Sequence, residues 1–81
     1  MDKIELGAHA KMITENKAYP FIFDMVKEHY MNAWSKTDPS QELLRETLYN
    51  TVVALGDVKR QIEALTVAGD NAIFEKEMED K

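Results

Sequence analysis

Leu44, Leu48, Thr51, Leu55, Val58, Ile62 and Leu65 follow one another at alternating steps of four and three residues. Three heptads of a nearly apolar seam describe a long helix that must lay one stripe against another helix. Gly69 is the natural stop for it, since glycine just past the last periodic residue ends helices readily. Thr37-Asp38-Pro39-Ser40-Gln41 is the natural start. There Asp38 can cap, Pro39 can take the first helical position, and Gln41 lies three residues after the cap, as a capping box requires. The seam therefore predicts a helix over 39–67, followed by a short acidic helical tail over 70–81.

Upstream of that rod the chain reads as two further helices. The first spans about 2–16, with Leu6, Ala10 and Ile13 on one stripe, Ile4, Ala8 and Met12 beside them, and Gly7 weakening it. Lys17-Ala18-Tyr19-Pro20 is a break, because the residue before proline is pushed out of the helical region. The second helix spans about 20–35, with Ile22, Phe23, Val26, Tyr30, Ala33 and Trp34 on one face and His29 at its edge. Only a few residues join it to the rod, and short helix–helix connections make antiparallel neighbours. The expected fold is a single all-α domain: three helices dominated by an antiparallel helical hairpin, with a short C-terminal helical tail.

Lengths then raise a question of coverage. A rod of 28 residues is about 42 Å long, and its aromatic partner of 16 residues about 24 Å. The second helix covers little more than half the seam. The remainder falls to the first helix and the tail, or to another chain.

Chemistry is sparse. The chain has 81 residues, no cysteine and two histidines, His9 and His29, which sit on different helices. Glu5 and His9, or Asp24 and Glu28, are one turn apart, but carboxylates at that spacing abound on any solvated helix. No glutamate stands three residues before either histidine, as a helical di-metal site requires. Ser35 and Ser40 lie in the capping loop, where a hydroxyl has local structural use. No glycine-rich phosphate loop is present. No enzyme activity, metal or other cofactor is expected.

Charge narrows the partners. Fifteen acids against ten bases give a net charge of −5, and Lys59-Arg60 is the only adjacent basic pair. That disfavours nucleic acid, which needs a concentrated basic face. No apolar run approaches the roughly 20 residues that cross a bilayer. The opening Met1-Asp2-Lys3-Ile4-Glu5 lacks a continuous apolar stretch and carries early acids, so no secretory leader is expected. The terminal Glu75, Glu77, Glu79 and Asp80 are interrupted by Lys76 and followed by Lys81, which reads as a solvated end rather than a mimic of nucleic acid.

What remains is a surface for another protein. Trp, Tyr and Met are enriched at interfaces because they bury large area and adapt in shape. Phe23, Tyr30 and Trp34 belong with Tyr19 to an aromatic stripe that is either core or anchor, and Met25 and Met31 lie just off that face. Tyr49 and Val53, with Val52 and Gly56, make a second apolar strip away from the main seam. Phe74 and Met78 sit one turn apart near the end. The candidate interface is thus Phe23, Met25, Tyr30, Met31, Trp34, Tyr49, Val53 and Phe74.

Gly7 and Ala10, the run Ala33-Trp34-Ser35-Lys36-Thr37, Asp38, Arg45-Glu46-Thr47-Leu48-Tyr49, the stretch from Val58 to Leu65 and Gly69 also form a pattern together. In these the chain, over roughly Gly7 to Ala72, resembles a group of small helical proteins encoded in tailed-phage genomes near head or packaging genes. The resemblance implies a phage or prophage origin and a place in the bacterial cytoplasm or on the virion. It brings no catalytic or binding residue with it. Two functions fit: an assembly protein that self-associates or docks on a virion or packaging component, or a small acidic inhibitor or adaptor that binds a host protein.

Overall fold

The structure is a computed structural model, and it describes residues 1–79. Within them the chain forms α1 (Lys3–Thr14), α2 (Ala18–Ser35) and α3 (Glu42–Glu79), with no strand among the described residues. The all-helical reading is correct, and two of the three helices fall close to their expected limits.

Local chemistry accounts for the ends. The Asp2 carboxylate accepts from the Glu5 backbone N–H at 2.8 Å, capping α1. In the three-residue joint after α1, the Asn16 side-chain oxygen accepts from the Ala18 N–H at 2.8 Å. Pro20 sits in the first turn of α2, where its missing N–H would have had no intrahelical partner. Half of the expected capping box forms at the second joint: the Gln41 side-chain oxygen accepts from the Asp38 N–H at 2.8 Å. The other half differs. Asp38 accepts from the backbone N–H and hydroxyl of Ser40, at 2.9 and 2.8 Å, so Pro39 and Ser40 make a turn and α3 begins at Glu42 rather than at Pro39.

Gly69 is the main correction. It does not end the long helix, which runs through it for a further ten residues, so there is no separate tail. A glycine stop needs the left-handed backbone conformation, and no glycine here has positive φ. The residues after it include no proline and continue the helix to Glu79. Asp80 and Lys81, the last of the expected acidic tail, lie outside the described residues. What Gly69 does instead is admit another backbone. A Cβ placed on it would stand 2.8 Å from Cα of Gly7, and one on Gly7 would stand 2.7 Å from Cα of Gly69. Both glycines are buried. Here α1 and α3 touch main chain to main chain, and α1 covers the part of the rod that α2 does not reach.

Contacts along the rod fall in opposing order. Gly7 meets Gly69, the Tyr19 hydroxyl donates to the Lys59 carbonyl at 3.3 Å, and the Arg45 guanidinium lies 4.2 Å from the centre of the Trp34 ring. The side of α3 that faces α1 and α2 runs through Leu48, Val52, Leu55, Lys59, Ile62, Thr66 and Gly69, all buried or half-buried. The expected seam shares Leu48, Leu55 and Ile62 with this line. It departs at Leu44, Val58 and Leu65, which are 45%, 51% and 37% exposed. On α1, Ile4, Gly7, Ala10 and Thr14 face inward, while Leu6, Met12 and Ile13 are exposed. On α2, Tyr19 takes the inward place expected of Ile22, which is also exposed.

The molecule has almost no interior. Among the described residues, Ala10 at 3% and Tyr19 at 7% exposure are the only buried apolar side chains. The chain measures 64 × 24 × 17 Å with a radius of gyration of 18.0 Å. A compact chain of this length would have a radius near 12 Å. Its accessible surface is 6560 Å², against about 5,000 Å² for a compact protein of 9.3 kDa.

The three glycines therefore make opposite predictions. A Cβ on Gly56 meets only the tip of the Arg60 side chain, at 3.6 Å. Gly56→Ala should stabilise by about 0.5–1 kcal/mol, the usual helix gain. Gly69→Ala brings the same helix gain but must push two backbones apart, and should lose about 1–3 kcal/mol net. Thermal melts of the two variants beside the parent chain check both signs.

Candidate functional site

With so little buried, the functional question becomes which exposed surface is organised. The candidate interface residues separate into three groups. Phe23, Tyr30 and Trp34 are half-buried against α3 and belong to the helix contact. Met25 and Phe74 stand outward. Met31, Tyr49 and Val53 are exposed at the edge of the helix contact, where they line hollows between α2 and α3.

Two such hollows occupy one flank of the molecule. Met31, Trp34, Leu48 and Tyr49 line the smaller, near the joint between α2 and α3. Asp24 and Lys27 of α2 face Val53, Gly56 and Arg60 of α3 across a groove of about 340 Å³, floored by Phe23 and Val52. Gly56 lines it without a side chain, and a Cβ there would meet only the tip of Arg60. Lys27, Lys59 and Arg60 line it against Asp24, and Arg60 pairs with Asp57 one turn earlier on α3, so one positive charge is left over. A third hollow sits at the bend between α1 and α2, lined by Met12, Ile13, Asn16, Ala18, Tyr19 and Ile22, with no charged residue in it.

Aromatic side chains pair with one another along α2, and Trp34 and the Tyr19 hydroxyl reach α3. Tyr19 and Phe23 meet edge to face with centroids 5.2 Å apart, and His29 meets Tyr30 likewise at 5.3 Å. Arg45 covers the Trp34 face as a cation–π partner, and its Nε has no hydrogen-bond partner among the described residues. The ring therefore serves as packing in this chain and leaves only part of itself to solvent. Burial, and secondarily the Glu63 carboxylate, push the Tyr19 phenol above its ordinary value of 10.0. Hydrogen bonds from Ser40, with Arg45 nearby, hold the Asp38 carboxyl below its ordinary value.

His9 and His29 are on separate helices, and no three of the acids and histidines converge on a point among the described residues. No helix among the described residues is long and apolar enough to cross a membrane. The sequence reading missed Gly69 as a contact residue. The signal available was Gly7, a second unexplained glycine inside a helix, whose cost is repaid only by close approach.

Comparison with protein families, characterised proteins and solved structures gives no match.

Trp34→Ala should cost about 2 kcal/mol, less than a fully buried tryptophan, because half the ring's burial and one cation–π contact are lost. Urea titration measures it. Tyr19 supplies a pH dependence. Because its phenol is harder to ionise in the folded chain, stability is unaffected well below pH 10 and falls as the unfolded chain begins to ionise near pH 10 and above. Tyr19→Phe should remove that alkaline loss, visible as a flatter dependence of the denaturation midpoint on pH.

Proposed function

We propose that this chain is a non-enzymatic, phage-encoded interaction protein that works by helix packing, self-associating or docking on a virion or packaging component. One observation carries the reading. Eighteen large apolar side chains are exposed among the described residues while two apolar side chains are buried. Monomeric soluble proteins seldom leave so many large apolar side chains exposed for so few buried. The opposing order of helix contacts supports an antiparallel hairpin formed by α1 and α2 together against α3. Such a hairpin is half of a four-helix bundle.

Phage origin is supported by the resemblance in the residues that bound the helices and by Trp34. The bacterial cytoplasm or the virion is the corresponding place of action. A small acidic adaptor for a host protein is the competing reading, and its mark would be salt-sensitive capture of one basic host protein.

Sedimentation velocity across the micromolar range, together with co-purification from phage-infected cells, tests the proposal. Association with itself, or with one defined virion or packaging protein, is the expected result. A chain that sediments as a monomer throughout and co-purifies with neither would overturn it.

A further inference from the structure

Between Leu43 and Ala72, charge on α3 is confined to one side. If Glu63 and the residues at seven-residue steps from it are taken as one line (Tyr49, Gly56, Glu63 and Asp70), the charged residues between Leu43 and Ala72 lie on that line or on the two lines flanking it, through Arg45 and through Glu46, with one exception. The exception is Asp57, and it is paired with Arg60. Every third and fourth residue from Leu44 to Ala72 (44, 47, 51, 54, 58, 61, 65, 68 and 72) is uncharged, in a chain that is 31% charged overall. All nine are exposed or half-exposed. This is a second heptad seam, beside the one that packs on α1 and α2.

It also lies on the opposite flank from the two hollows between α2 and α3. Those are lined on α3 by Tyr49, Val53, Gly56 and Arg60, none of which belongs to the second seam.

The residues of this seam complement themselves in size. Run two copies in opposite directions with position 56 at the centre, so that paired residue numbers sum to one value. Leu44 then meets Ala68, Thr47 meets Leu65, Thr51 meets Gln61, and Ala54 meets Val58. Each layer sets a larger side chain against a smaller one, and the two-fold axis repeats the four layers as eight. A parallel pairing would set Leu44 on Leu44 and Ala68 on Ala68, wide at one layer and hollow at another. Interdigitated large and small residues are what close helix packing needs.

Area agrees. The chain exposes about 1,600 Å² more than a compact protein of its mass, and a stable dimer of standard size needs about 800 Å² from each partner. Building on the interaction role proposed above, we infer that the uncharged seam of α3 binds the same seam of a second copy, antiparallel and centred on position 56. The resulting dimer is a four-helix bundle with an α3 pair at its centre.

The absence of cysteine makes the register directly testable. Chains carrying Leu44→Cys and chains carrying Ala68→Cys are mixed and oxidised, alone and together. The expected product is the mixed disulfide dimer, with neither variant linking to itself, because like positions lie 24 residues, about 36 Å, apart across the axis. Val58→Lys places a charge in the seam and should raise the dimer dissociation constant tenfold or more, to about that factor at least. Val58 is half-exposed in the single chain, so helicity by circular dichroism should be retained.

Self-linking of Leu44→Cys would overturn the antiparallel register. A parent chain that dimerises with Val58→Lys unaffected would overturn the seam while leaving self-association intact. A monomer that still co-purifies with a virion or packaging protein would overturn the second copy as occupant and leave the broader interaction role standing.

Discussion

The contact between Gly7 and Gly69 sets the terms for everything else in the molecule. A 38-residue helix is far too long for one 18-residue neighbour, and the chain has no cysteine with which a disulfide could shore up what is left over. By dropping two side chains, α1 and α3 approach to main-chain distance and the rod is lined along its length by its own chain. The glycines cost helix propensity at two places. They return it as a close contact that no larger residue could make. α1 has few large side chains facing inward, so this contact does more to place it than apolar burial does.

Lining the rod along its length is not the same as enclosing it. Two helices side by side can shield only one face of each other, and among the described residues just one alanine and one tyrosine are buried apolar side chains. Small domains are marginal even when compact. This one is extended, with a third more surface than compactness would allow, and it spends its apolar side chains outside. A protein of this kind gains stability by association, which ties its folding to its concentration. The proposed function and the proposed dimer both follow from that arrangement, one in general and the other on a particular face.

Much of the architecture was legible in the sequence. Amphipathic spacing and the Pro20 and Pro39 breaks located three helices, and the half-formed capping box at Asp38–Gln41 came from residue types alone. Three errors have a common source. Gly69 read as a stop, Ile22 read as inward, and Val58 and Leu65 read as part of the buried seam, because local pattern reports which side of a helix is apolar but not which of two apolar sides its own chain will take. Position 58 belongs to a real heptad stripe. α1 and α2 take the stripe beside it, through Val52, Lys59 and Thr66. Of the candidate interface, Phe23, Tyr30 and Trp34 proved to be the inner surface of α2, since an aromatic residue looks the same in sequence whether it anchors a partner or a neighbouring helix.

The central claim is that α3 continues without interruption through Gly69 because the backbone of α1 seals it there. Amide hydrogen exchange across Thr66–Ile73 tests this most directly. The account predicts slow exchange that is continuous through Gly69, matched by protection of the amides around Gly7. Rapid exchange confined to Gly69 and the turn after it would show a broken rod, and with it the sealing contact would be lost.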